Sequence, residues 1–310
     1  MKHLALLLAL APAVHAGPEG WPREFRPKPA KVAIVEAPEQ PAVACETAHF
    51  RLHSDTALDR DSLQRFATTL EAVPQLLDRL PLLDWQPPAG PKPLIDLCRD
   101  EDAFHDRGGP EGSAGYYDGR RRRVLIRADL FLHPPNAGRL RTAPDEDLLV
   151  HELSHLGMHR ILAGARPWLT EGLAEYLAAA HTGGGRFDFR DPHRNIRDHI
   201  RKYLPPESDG RTVLPRLASV LSTDGQGWID TNTFSPAGAR YRPYAAALIL
   251  THYHLSGPDR REALQKHLAA AAAHRDRRKP RPVLASPAPE KLEELLARYW
   301  SSHGIRLVFR

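Results

Sequence analysis

The residues of this chain best suited to chemistry lie together in the pentapeptide His151-Glu152-Leu153-Ser154-His155. On a helix, side chains four residues apart lie on one face, so the two imidazole rings can bind the same Zn²⁺ ion. Glu152 projects beside such an ion rather than onto it, where its carboxylate can take a proton from a water molecule that the metal activates. The spacing therefore predicts two zinc ligands, His151 and His155, and one general base, Glu152.

A second segment, WLTEGLAEY at 168–176, supplies two further acids, Glu171 and Glu175, one helical turn apart on one face. Catalytic zinc uses three protein ligands and keeps one position open. We assign Glu171 as the third ligand and Glu175 to a supporting position, where it accepts the free ring N–H of a liganding histidine. The reverse assignment stays open. A solvated face without a metal role is the other alternative, although the apolar neighbours Trp168 and Leu173 favour burial.

His159, four residues beyond His155, raises the possibility of a three-histidine site. In a continuous helix it lies about 12 Å along the axis from the first histidine, too far for one ion with bonds of about 2 Å. The longer zinc motif HExxHxxGxxH also requires glycine and histidine where this chain has Met158 and Ile161. We therefore expect His159 to be a solvated or core histidine.

Helices are expected to position these residues. One begins at a candidate cap, Thr142, has Pro144 and acids 145–147 in its first turn, and ends at Gly164; a second runs from about Pro167 to the glycines at 183–185. Elsewhere, hydrophobic periodicity predicts the following elements. Strands are expected at 49–54, 93–98 and 121–130, a Gly-rich loop at 108–119, and helices at 62–80, 241–255, 259–275 and 289–303.

This order of elements predicts an α+β protein with a small N-terminal mixed sheet, 45–135, and a largely helical part that carries the metal site, 136–310. Residues 1–16 have the basic start, short apolar run and small-residue end of a signal peptide, so we expect a periplasmic or secreted protein. The apolar run is too short for a membrane anchor, and no stable membrane insertion is expected. The proline-rich residues 17–44 predict an extended, poorly ordered arm.

Cysteine content and charge bound the remaining possibilities. Export would let Cys45 and Cys98 form a disulfide, and two buried thiols are the alternative. The net charge of +5 would favour nucleic acid if it were concentrated on a recognisable binding module. The main basic run, 120–123, carries no such signature, so we expect a solvated loop there and no nucleic-acid partner.

HELSH followed by PWLTEGLAEY resembles the paired HExxH and WxxEGxAEY motifs of the gluzincin metallopeptidases, specifically the bacterial peptidase MA-like group. The likeness covers about residues 140–181 and is weaker in HFRLHSD, AGYYDGRRRRVLIR and RYRPYAAALIL. The resemblance implies a thermolysin-like zincin fold, one Zn²⁺ per chain held by His151, His155 and Glu171, and catalysis by Glu152.

The resemblance also implies that the strand at about Arg123–Asp129 is a sheet edge along which an extended substrate lies. Gluzincins commonly place a tyrosine or histidine opposite the base to stabilise the oxyanion. Tyr241 and Tyr244 are the candidates by position, with aromatic packing at a helix start as the alternative. The expected function is an exported zinc metallopeptidase acting on peptides or proteins. A catalytically inactive zincin-fold binding protein of the cell envelope is the alternative.

Overall fold

The structure is a computed structural model of the 310-residue chain. It describes residues 20–36, 41–82, 90–111, 113–131, 146–162, 164–234, 237–274 and 281–310. The predicted signal peptide at 1–16, the helix start from Thr142 to Asp145 and the boundary between 135 and 136 lie outside the described residues.

The N-terminal part combines short strands with three helices. In chain order its elements are β1 (Glu24–Phe25), β2 (Ala33–Ile34), β3 (Val43–Glu46), β4 (Arg51–Ser54), α1 (Arg60–Leu77), β5 (Leu94–Cys98), α2 (Glu101–Asp106), β6 (Gly115–Asp118), β7 (Arg123–Arg127) and α3 (Ala128–Phe131). The three predicted strands are confirmed, although the last one ends at Arg127 and α3 begins at the next residue, Ala128.

The C-terminal part is largely helical. Its elements are α4 (Glu146–Gly157), α5 (His159–Leu162), α6 (Pro167–Ala180), β8 (Phe187–Asp188), α7 (Pro192–Tyr203), β9 (Arg211–Leu214), α8 (Leu217–Ser222), α9 (Gly225–Phe234), a 3₁₀ turn (Ala237–Ala239), α10 (Arg242–Leu255), α11 (Pro258–Ala273), α12 (Pro289–Ser301) and β10 (Arg306–Phe309). The predicted α+β class is therefore confirmed. Within the described residues, no helix has the length and apolarity needed to cross a bilayer.

Six strands form one mixed sheet in the order β2-β3-β4-β5-β7-β6. Strands β4, β5 and β7 are parallel, with Ile95 paired between Leu52 and Val124, and these three residues are fully buried. Their apolar runs suit central strands that are covered on both faces. One face packs against α1 and α4, which brings the sheet next to the predicted metal ligands.

Among the described residues, β6 is the edge strand at this end of the sheet, rather than the predicted strand at Arg123–Asp129. β7 lies between β5 and β6, and β6 runs antiparallel to β7 with Tyr117 opposite Val124. Gly115–Asp118 lies within the Gly-rich loop predicted at 108–119, and the strand β6 shows that this part of the loop prediction is wrong. Pairing with the strongly apolar β7 makes this segment a strand.

The predicted helix from Thr142 to Gly164 is not continuous. α4 ends at Gly157, and a separate short helix, α5, begins at His159. Other predicted helices are confirmed within a few residues as α1, α6, α10, α11 and α12.

Residues 20–36 of the proline-rich arm are extended, but the prediction of poor order is wrong. Phe25 is buried in the core, and its strand pairs antiparallel with Phe187 and Asp188 of β8. The ring of Trp21 packs edge-on against Tyr176, with centroids 5.6 Å apart. These aromatic side chains keep the arm on the core because the free energy gained by burying them exceeds the conformational entropy lost when a short segment is ordered.

The predicted disulfide between Cys45 and Cys98 is absent, and both residues are buried free thiols. Their strands are separated by β4, so they are not neighbours. Cys45 aligns through Leu52 with Ile95, three residues before Cys98, and an odd offset points two side chains to opposite faces of a sheet. Two thiols on opposite faces cannot form the bond.

Candidate metal centre

Helix α4 places the two histidines of the HExxH pentapeptide side by side. The Nε2 atoms of His151 and His155 are 2.9 Å apart, and both residues are buried. Leu149, Val150 and Leu153 on the same helix are also buried and fix the rotation of the helix against the core. The local period of the helix and its packing together direct both Nε2 atoms to one point.

Helix α6 brings a carboxylate to the same point. Oε2 of Glu171 lies 3.3 Å from Nε2 of His151 and 3.2 Å from Nε2 of His155. A tetrahedral zinc ion with bonds of about 2.0 Å requires donor atoms about 3.3 Å apart. The three donor atoms therefore match a zinc site in type and in spacing, and they form a group that could hold a metal ion.

Glu175 lies on the other side of the His151 ring. Its Oε1 is 2.9 Å from Nδ1 of His151, although this contact is not aligned as a linear hydrogen bond. Its Oε2 accepts hydrogen bonds from Nε2 of His199, at 2.8 Å, and from the hydroxyl of Tyr241. The geometry favours Glu171 as the third ligand and Glu175 as the supporting carboxylate, because Glu175 faces the nitrogen that points away from the cluster.

Glu152 lies next to the edge strand β6. The backbone of Tyr117 lies close enough to the carboxyl of Glu152 to favour its charged form, and the Glu152 side chain is buried. The approach to Gly115 is close, since a Cβ at that position would lie 3.0 Å from Cγ and 3.3 Å from Oε1 of Glu152. Glycine at 115 therefore leaves the space that the carboxylate occupies between the helix and the strand.

The electrostatics of the cluster favour a cation. Burial alone would lower the pKa of His151, but its contacts with Glu171 and Glu175 outweigh burial and hold that pKa well above its ordinary value. Burial opposes ionisation of Glu171, yet the two histidines lower its pKa to about 2. Burial raises the pKa of Glu152. Carboxylates placed around the two imidazoles thus stabilise positive charge where a metal ion would lie.

The two candidate tyrosines have different surroundings. Tyr241 donates its hydroxyl hydrogen to Glu175 and so supports the carboxylate rather than facing the ligand atoms. The ring of Tyr244 stacks on Tyr241 with centroids 6.0 Å apart and lies 6.0 Å from the ring of His151. Burial raises the pKa of both phenols well above the ordinary value, so both keep their protons at neutral pH. Tyr244 is the better placed of the two to donate to an oxyanion.

His159 is not part of the metal group. Its Nδ1 lies 2.6 Å from the hydroxyl of Tyr117, whose ring stacks against His155 with an interplanar angle of 15°. The expected axial distance assumed a continuous helix, whereas α4 ends at Gly157 and α5 begins at His159; the donor atoms that lie within 4.8 Å of one another belong to His151, His155 and Glu171. His159 instead supports Tyr117 beside the site.

Two residues at the site, His199 and Tyr117, were not predicted from the sequence as site residues. His199 belongs to α7, a helix that was not predicted because Ile196 and Ile200 are its only aliphatic residues. The burial of His193 and His199 beside these two isoleucines shows that the helix has a continuous inner face. A test for helical periodicity that included histidine as a buried residue would have found it.

Comparison of the chain with protein-family models, with curated proteins and with solved structures finds no match. What this site can do chemically is therefore inferred from the residues of this chain alone. Three donor atoms converge on one point, and a buried carboxylate lies beside them at the edge of a sheet. Such an arrangement can hold a metal ion and move a proton next to it.

Proposed function

We propose that this chain is a zinc-dependent peptidase with a zincin-like fold, exported from the cell. The observation that carries this proposal is the convergence of His151, His155 and Glu171, with Glu152 beside them. The donor set of two imidazoles and one carboxylate is typical of catalytic zinc in peptidases. The same residues belong to the motif pair that resembles the gluzincins.

When bound, zinc would polarise the scissile carbonyl and activate a water molecule for attack on it. The carboxylate of Glu152 accepts the proton of that water and passes it to the leaving amine. Tyr244, which keeps its proton, donates a hydrogen bond to the oxygen that gains negative charge. No covalent bond to the protein is needed.

The edge strand β6 gives the proposed substrate its orientation. Among the described residues, β6 pairs with β7 on one side only. An extended peptide can add to such an edge through backbone hydrogen bonds, which bind without regard to side-chain identity. Because Glu152 contacts Gly115 and Tyr117 of this strand, a peptide bound along β6 passes the general base. We propose peptides or proteins as substrates on this basis.

Zinc quantification and cleavage of a peptide library by wild type, Glu152→Gln and Glu294→Gln test the proposal. Glu294 is an exposed residue of α12, so its variant is a matched control for the change from carboxylate to amide. We expect one zinc per chain in all three proteins and cleavage by wild type and Glu294→Gln only. Full activity of Glu152→Gln would contradict the mechanism. Zinc without cleavage by wild type would instead favour an inactive binding protein.

Export is proposed from the sequence of residues 1–16 alone. Cleavage after Ala16 gives a mature protein that begins at Gly17. Sequencing the N-terminus of the protein recovered from the periplasm or the medium tests this, and an intact Met1 in the recovered protein would contradict it.

A further inference from the structure

Helix α7 contacts both metal-binding helices although it supplies no ligand. Nε2 of His199 lies 2.8 Å from Oε2 of Glu175 on α6. Three residues later on α7, Nζ of Lys202 lies 2.7 Å from Oδ2 of Asp147 on α4. Asp147 precedes His151 by one helical turn. One turn of α7 therefore fixes one carboxylate on each of the two helices whose side chains form the metal cluster.

The carboxylate of Glu175 has an interaction on each oxygen. One oxygen contacts Nδ1 of His151, and the other accepts hydrogen bonds from His199 and Tyr241. The side chain is only 8% exposed, so water cannot easily replace a lost donor. A buried carboxylate that loses a donor pays the cost of an unmet hydrogen bond or rotates to find another. Rotation of Glu175 would release its contact with His151.

The contact with Glu175 determines which nitrogen of His151 faces the cluster. A proton on Nδ1, 2.9 Å from Oε1 of Glu175, is stabilised by the charge of that carboxylate and leaves the lone pair on Nε2, the atom that lies with Nε2 of His155 and Oε2 of Glu171. Residues that hold the outer nitrogen of a liganding histidine fix its tautomer and its ring angle. His199 and Tyr241 do not contact the metal-facing nitrogen. They donate hydrogen bonds to Glu175, and Glu175 in turn contacts the ring of His151.

We propose that His199 and Tyr241 are positioning residues that set the zinc affinity of this chain by fixing Glu175. This inference rests on the proposed metal centre, but it does not depend on what the centre hydrolyses. The ring of Tyr203 lies 5.1 Å from the ring of Tyr241 and restricts its movement. α7 thus positions both donors to Glu175: it carries His199 itself, and its Tyr203 packs against Tyr241.

Zinc affinity and the zinc dissociation rate, measured by competition with a chromophoric chelator, test the inference. We expect His199→Leu and Tyr241→Phe each to weaken zinc binding by about ten- to a hundredfold, the usual effect of losing a group that supports a ligand. His199→Gln keeps an N–H donor and should recover most of the affinity. The absorption bands of the cobalt-substituted protein should shift in His199→Leu and stay close to those of wild type in His199→Gln.

His254→Leu is the matched control for replacing a buried histidine. His254 is buried on α10, and neither of its ring nitrogens has a hydrogen-bond partner. Its replacement should leave zinc affinity unchanged. Comparison of the metal-free thermal midpoints of all variants separates a loss of general stability from a loss of positioning.

Wild-type zinc affinity in His199→Leu and Tyr241→Phe would overturn the inference. An affinity loss that merely follows the loss of metal-free stability, with no recovery in His199→Gln, would overturn it as well. If wild type binds zinc but cleaves no peptide, the peptidase proposal fails, and weaker zinc binding in the two variants still supports positioning. A wild type that takes up no zinc overturns the metal centre and this inference together.

Discussion

His254 should make the folded protein sensitive to mild acid. The side chain is 1% exposed, its ring packs 5.8 Å from that of Trp168, and neither ring nitrogen has a hydrogen-bond partner. Burial, aided by the charges of Arg260 and His267, lowers its pKa from 6.5 to about 4. The unfolded chain therefore binds a proton between these pH values that the folded chain does not bind.

The size of this effect follows from the shift in pKa. Since one pKa unit corresponds to about 1.4 kcal/mol, His254 contributes about 3 kcal/mol of stability that is present above pH 6.5 and lost as the pH falls through 4. At pH 5 the loss is already about 2 kcal/mol. Leucine at this position cannot bind a proton and leaves no polar atom unpaired in the core, so its cost at pH 7 should be small.

Urea unfolding of wild type and His254→Leu at pH 7 and pH 5, both without metal, checks this prediction. The free energy of unfolding of wild type relative to the variant should fall by about 2 kcal/mol between the two pH values. Other titrating groups are common to both proteins and cancel in the difference. An equal difference at both pH values would refute the assignment of a low pKa to His254.

Three further outcomes are expected. Gly172→Ala should destabilise the protein by about 1–3 kcal/mol in thermal unfolding, because a methyl group there would overlap Thr251 of the helix that crosses α6. Phe25→Ala should cost about 3–5 kcal/mol and make the N-terminal arm sensitive to protease, whereas a disordered arm would show no change in stability. Burial raises the pKa of the thiols of Cys45 and Cys98 to about 11, so both should react slowly with a thiol reagent at pH 8 and rapidly in denaturant. The absence of two reactive thiols in denatured, unreduced protein would contradict this prediction.

Much of the helical part follows from local patterns. α10 and α12 were predicted within a few residues because each combines a proline in its first turn with apolar residues at helical spacing. α7 was missed because its buried face includes histidines and its composition is strongly charged. β6 was missed because its pairing with β7, rather than its own residues, makes it a strand. α7 has no clear hydrophobic pattern of its own, and β6 depends on a partner strand, so local sequence patterns do not predict either element.

The sequence by itself determined the inner part of the candidate metal cluster. The helical period places His151 and His155 on one face, and the same period separates Glu171 from Glu175 by one turn on the next long helix. These relations hold within single helices, so they can be derived without knowing the fold. The type of each residue then fixes what it can do, since two imidazoles and a carboxylate are ligands for zinc.

Only the tertiary structure decided how the two helices face each other and what surrounds them. The contacts of Glu175 with His199 and Tyr241 join residues that are 24 and 66 positions apart in the chain. The sheet edge beside Glu152 depends on strand order, which local periodicity does not contain. Hydrophobic burial fixes these distances once the helices and the sheet pack together, and no short segment of the sequence specifies them alone.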